Sequence, residues 1–169
     1  MKARQIALGG ILAALAVVIL LLGGIIPVGT YLAPMLASLP LVILLAELPK
    51  SLCLGWYAVT ALLGILFCPD KETAFVFVFL GWYPLTKPCL DRLPKLPGLL
   101  CKLLIFNAST AALYALLILV FHLEALVREA RETGAVMLIV LLLMGNLSFI
   151  LFDVLLGRLT VLYRIKHKK

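Results

Sequence analysis

Charge is what this sequence has least of. Only 14% of its 169 residues are Asp, Glu, Lys or Arg, 64% are hydrophobic, and mean hydropathy is +1.19. A soluble domain of this length carries roughly a quarter of its residues as charges, so a water-facing globular fold is excluded. Catalytic and cofactor motifs are missing as well. The chain has no H-E-x-x-H, no G-x-S-x-G, no C-x-x-C and no phosphate-cradling glycine loop. Its two histidines, His122 and His167, fall on opposite faces of the topology derived below, so no Ser-His-Asp trio assembles. Cys53, Cys68, Cys89 and Cys101 have no histidine at metal-ligand spacing and read as small apolar residues without a structural disulfide. No enzyme, metal site or cofactor is expected. The net charge of +7 does not point to nucleic acid, because the cations flank apolar runs and form no aromatic-laced patch.

What is present is six long apolar stretches. A membrane span needs about 20 apolar residues, or about 17 at the short end. The expected spans are residues 5–26, 31–46, 51–67, 74–86, 99–121 and 135–160. They occupy nearly the whole length, so the fold class is all-α: one transmembrane domain over 1–169, a compact bundle of six helices. The first run is too long for a signal-peptide core and no A-x-A site follows it. Instead Pro27-Val28-Gly29-Thr30 turns the chain into the next apolar run. Lys87 to Gly98, with Pro88, Pro94 and Pro97, reads as a basic loop. His122 to Gly134 reads as a charged segment of helical periodicity, and the last helix is expected to run on through Tyr163 into a cationic tail.

The short, aromatic-rich fourth span is decided by charge. With six spans and an inner N-terminus, only Lys71, Arg128 and Arg131 of the fifteen Lys and Arg lie outside, and twelve lie inside. Without it, five lie inside and ten outside. Cations gather on the cytoplasmic side, so six spans are preferred, in the cytoplasmic (inner) membrane with both termini cytoplasmic.

Asp153 is the sharpest candidate for chemistry, because a carboxylate inside a span costs several kcal/mol unless paired, solvated or neutralised. Asn146 and Thr160 lie seven residues either side of it and share its helix stripe. Three readings stand: a structural carboxylate bonded to a neighbouring helix or paired with Arg158 or Lys102, a ligand or ion contact, or a proton relay, for which a lone acid is weak evidence. Asn107, with Ser109 and Thr110, is either interhelical hydrogen-bond glue or faces Asn146 or Asp153 across a cavity. Such a cavity would open outward beneath Pro27–Met35, where Thr30 and Tyr31 are further candidate contacts and Tyr114 is well placed. Trp82 and Tyr83 fit an interfacial aromatic belt. Glu47 and Lys50 fit an ion pair or snorkelling at an interface.

Gly9-Gly10-Ile11-Leu12-Ala13-Ala14-Leu15-Ala16 contains two small-xxx-small steps, Gly9 to Ala13 and Gly10 to Ala14. A small face lets another helix approach closely in lipid. With the span count and inner termini, this segment resembles the substrate-binding S components of energy-coupling-factor vitamin transporters. That resemblance implies a small-molecule ligand and a first outer loop, Pro27 to Met35, covering it. It implies docking of Gly9 and Ala13 on a transmembrane coupling subunit, glycine replacing one alanine, and dependence on ATPase subunits. The chain is also similar in length and span count to the small rod-shape-determining membrane proteins, which implies a scaffold without cargo.

Overall fold

The computed structural model of the chain describes residues 3–25, 29–119 and 124–167, and within the last helix the side chains of residues 139, 140, 142–163 and 165. Eight helices follow one another: α1 Ala3–Gly23, α2 Gly29–Ser38, α3 Pro40–Glu47, α4 Lys50–Phe67, α5 Lys71–Leu80, α6 Tyr83–Leu90, α7 Lys95–Leu119 and α8 Glu124–His167. No strand occurs among the described residues. Helix is the form a chain this apolar must take in lipid, because each backbone group finds its partner within the same segment. Five stretches are long and apolar enough to cross a membrane: Ala3–Gly23, Gly29–Glu47, Lys50–Phe67, Lys95–Ile118 and Leu142–Tyr163.

Several expectations change. The second stretch is two helices, because Pro40 takes the first turn of α3 and Leu39 joins it to α2. Pro27–Met35 is not a loop throughout, since Gly29 to Met35 is already helical; residues 26–28 lie outside the described residues. The fourth stretch, 74–86, is not one helix and is not among the five long ones. It is α5 and α6, broken at Gly81-Trp82. Asp70 caps α5, its carboxylate accepting from the Glu72 and Thr73 amides. Gly81 is required at the break, because a Cβ there would lie 2.5 Å from the Phe77 carbonyl oxygen. Lys87 to Gly98 is a loop only over residues 91–94: α6 continues to Leu90 and α7 begins at Lys95. The charged segment before the last span joins it from Glu124 onward, making α8 44 residues long; His122 and Leu123 lie outside the described residues.

The helices pack as an up-and-down bundle. α1 lies against α2 and α4, α2 against α5, α5 and α8 against α7, and α3 against α8. Gly23 and Gly29 let α1 and α2 close on each other: a Cβ on Gly29 would sit 2.6 Å from the Gly23 carbonyl oxygen. The core has three patches. Leu12, Ala16 and Leu20 meet Leu41, Leu44, Trp56 and Phe77. Tyr83, Phe106, Phe149, Phe152 and Leu156 form an aromatic patch between α6, α7 and α8. Phe75, Val76, Leu113 and Leu117 join α5 to α7. Outward faces are apolar too, with Ile11, Leu15 and Leu22 on α1 and Leu147 and Leu151 on α8 exposed, as expected of helices solvated by lipid.

Two poles are defined by contacts. At one, Gln5 donates to the Glu47 carbonyl (3.1 Å) and the Tyr163 hydroxyl to Glu47 Oε1 (2.8 Å). No ion pair joins Glu47 to Lys50 among the described residues. At the other, Cys68 lies against the Leu20 carbonyl and Glu72 meets Tyr31 and Tyr114. α5–α6 runs antiparallel to α7. Glu72 meets Tyr114, while Asp91, just past α6, meets Lys102, two points about 18 Å apart along α7 at 1.5 Å per residue.

Candidate functional site

Polar side chains inside this bundle gather at three levels along α7. The first is a charged quartet. Asp153 of α8 accepts from Lys87 of α6 through Oδ1, from Lys102 of α7 through Oδ2 at 2.9 Å, and from the Tyr83 hydroxyl at 2.6 Å. Asp91 completes it, 2.5 Å from Lys102 and 3.4 Å from Lys87. Two ammoniums and two carboxylates balance. The lysine side chains are 9% and 11% exposed and Asp153 17%, whereas Asp91 is 44% exposed and opens to the surroundings. Tyr83 and Lys87 are four residues apart on one face of α6, so both reach the same carboxylate. The aromatic patch closes over this level: Tyr83 meets Phe149 edge-on with centroids 4.8 Å apart, and Phe149 stacks on Phe106 at 4.6 Å.

The second level is an amide pair. Asn107 Nδ2 donates to Asn146 Oδ1 (2.8 Å), and Asn146 Nδ2 returns a bond to Asn107 Oδ1 (3.2 Å). Their amides also donate to Leu103 O and Leu142 O, four residues back in each helix. The pair ties α7 to α8, which is the geometry of interhelical glue. Thr160, seven residues past Asp153, donates to its own Leu156 carbonyl at 2.8 Å.

The third level is a carboxylate dressed by two phenols. The hydroxyls of Tyr31, in α2, and Tyr114, in α7, both donate to Glu72 Oε1, each at 2.9 Å, and also touch each other. Thr30 sits half-buried in the first turn of α2. One turn along α7 from Tyr114, Thr110 Oγ1 is shielded from solvent and has no hydrogen-bond partner among the described residues. Thr60 and Thr86, by contrast, return their hydroxyls to carbonyls of their own helices.

Of the residues singled out from sequence, Asn107 and Asn146 thus meet each other, Asp153 meets Lys102 but not Arg158, and Tyr31 lies at the far pole. Tyr83 is not an interfacial belt residue: it is buried at 2% exposure because its hydroxyl serves Asp153. Lys87, Asp91 and Glu72 were not singled out as site residues. Lys87 sits between Pro84 and Pro88 and so resembles a loop cation in sequence. The four-residue step from Tyr83 was the signal that both face one partner.

On α1, Gly9 and Ala13 turn partly toward the bundle. Gly9 is half-buried and its carbonyl accepts from Trp56 Nε1 at 3.0 Å, and Ala13 packs on the core. Gly10 and Ala14 are exposed, with open space where a Cβ on Gly10 would stand. An apolar groove of about 520 Å³ runs between α1, α2–α3 and α8, lined by Leu12, Leu36, Val42 and Leu159, and touches none of the three polar levels. No group of three or more His, Cys, Asp or Glu that could hold a metal occurs among the described residues. Compared with models of known protein families, with curated proteins and with solved structures, the chain matches none.

Proposed function

We propose that the chain is a six-span subunit of the cytoplasmic membrane that captures a small, vitamin-like molecule at its outer face for import, energised by partner subunits. Its spans are α1, α2–α3, α4, α5–α6, α7 and α8. The 20 residues from Lys71 to Leu90 reach about 30 Å as helix, the thickness of a hydrocarbon core, which supports α5–α6 as the fourth crossing. Lys87 and Lys102 serve Asp153 and are poor orientation signals, but ten inner cations remain against Lys71, Arg128 and Arg131. On that topology both termini are cytoplasmic and the Glu72 cluster faces outward.

The observation that carries this reading is the convergence of Tyr31, Glu72 and Tyr114 from three different helices at the outer pole. Convergent polar groups on separate rigid elements are how a site fixes a ligand's orientation. The sequence has no nucleotide-hydrolysis motif, so transport would need a coupling subunit and ATPase subunits. The open Gly10–Ala14 face of α1 suits close packing by a helix of such a coupling subunit. The contrasting reading, a non-transporting scaffold of cell-envelope assembly, is favoured by the quartet and the asparagine pair, whose polar groups satisfy one another and need no cargo. Purification in mild detergent followed by mass spectrometry separates the two. The importer reading expects a retained small molecule that Tyr114→Phe releases. Co-purifying cell-wall or division proteins with no small molecule would overturn it.

A further inference from the structure

We infer that the Glu72 cluster is a site for an organic cation, a molecule carrying an ammonium or guanidinium group; this rests on the capture reading above and adds the chemical class of the cargo. The carboxylates of the quartet and of the Glu72 cluster differ in their partners. Asp153 and Asp91 each face both Lys87 and Lys102, so their charge is compensated. Glu72 has no such partner. Its Oε1 takes two phenol hydroxyls, and among the described residues neither a hydrogen bond nor an ion pair reaches Oε2. The adjacent lysine does not help: Lys71 Nζ is turned back onto the end of α4, donating to the Ile65 carbonyl (2.8 Å) and the Cys68 carbonyl (3.1 Å). Asp70 beside it is occupied by backbone amides and by the Thr73 hydroxyl at 2.6 Å. Among the described residues, neither Asp70 nor Glu72 therefore forms an ion pair.

A half-buried carboxylate without a counter-ion attracts one. The surrounding groups favour an organic cation. Phenol rings attract cations over their faces, and Tyr31 is 48% exposed. A phenol oxygen that donates its proton to Glu72 keeps lone pairs to accept from an ammonium or guanidinium N–H. Thr110 Oγ1, shielded and without a hydrogen-bond partner among the described residues, lies one turn from Tyr114 on the same side of α7 and is a further acceptor. A divalent metal fits poorly, because calcium takes six to eight oxygens and the site supplies one carboxylate.

The test uses the full chain in detergent and three probes of similar shape: benzyltrimethylammonium, benzyl alcohol and benzoate, titrated by calorimetry. The cation is expected to bind saturably, the alcohol weakly and the anion not at all. Glu72→Gln keeps an oxygen for both tyrosine hydroxyls and is expected to weaken the cation by about ten- to a hundredfold, the worth of a charge-assisted contact. Glu72→Asp keeps the charge and is expected to retain saturable cation binding, which serves as the check should Glu72→Gln fold poorly. Equal binding of alcohol and cation, or cation affinity unchanged in Glu72→Gln, would overturn the inference. A neutral or anionic molecule retained on purification and released by Tyr114→Phe would also overturn it while leaving the capture reading standing. No retained molecule and no saturable binding of any probe would remove both.

Discussion

Removing the charge of Asp153 tests whether the quartet holds the bundle together. Asp153→Asn keeps the side chain's shape and an oxygen for the Tyr83 hydroxyl, but Lys87 and Lys102 would then share Asp91 alone, at 3.4 Å and 2.5 Å. One carboxylate, 44% exposed, would balance two ammoniums whose side chains are 9% and 11% exposed. Removing one partner of a buried ion pair costs about 3–5 kcal/mol. The amide's remaining acceptor and the proximity of Asp91 place this case at the lower end, about 3 kcal/mol. For a chain of this size each kcal/mol lowers the melting temperature by about 2–4 °C, so a fall of about 6–12 °C is expected. Tryptophan fluorescence in detergent follows the transition, since Trp56 is buried and Trp82 half-buried. Lys102→Met combined with Asp153→Asn removes one charge of each sign and leaves Lys87 facing Asp91. That double variant should recover part of the loss, with a coupling of about 0.5–3 kcal/mol. A melting temperature for Asp153→Asn within about 2 °C of wild type, or double-variant losses that simply add, would refute the idea that charge balance matters here.

Asn146→Leu should cost about 1 kcal/mol of stability by leaving Asn107 without its interhelical partner, and Asn107→Leu with Asn146→Leu should cost less than the sum of the singles, read from the same melting curves. Cys89 is exposed whereas Cys68 is buried, and burial raises the Cys68 thiol above its usual range; a permeant maleimide at pH 7 should therefore modify Cys89 first. Since the folded state holds the Cys68 proton more tightly than the unfolded chain, its contribution to stability is present below the usual thiol range and is lost as pH rises above it, visible as a falling melting temperature. In complexes with a coupling subunit, Ala14→Leu should reduce co-purification more than Ala13→Leu, because Ala14 faces outward and Ala13 packs on the core; an equal effect of both would speak against an outward docking face.

Much of the architecture was legible because lipid leaves a chain few options. Five of the six stretches read from hydropathy appear as long apolar helices or helix pairs. The remaining one, 74–86, is broken at Gly81-Trp82 into the shorter helices α5 and α6, the second of which carries two prolines. Pro84 fits the first turn of a helix and Pro88 falls inside one of only eight residues. Hydropathy therefore marks Lys87 as the edge of a span, whereas it is a buried residue inside α6. Asp153 was legible as an anomaly, because no cheap reason exists for a carboxylate in a span.

Its partners were not legible. Lys87 and Tyr83 lie 66 and 70 residues away in sequence, and which helices meet depends on packing that no local period encodes. The same holds for Glu72, which joins Tyr31 and Tyr114 across 41 and 42 residues, and for the choice between Gly9 and Gly10, neighbours that a turn of about 100° places on different faces. Sequence alone determined that the chain is helical, apolar and suited to a membrane, because hydrogen bonds must close within each segment where water is absent. Only the tertiary structure decided which charges balance and which, among the described residues, makes no ion pair, because that depends on distances between helices remote in the chain, and Coulomb energy is set by distance and burial.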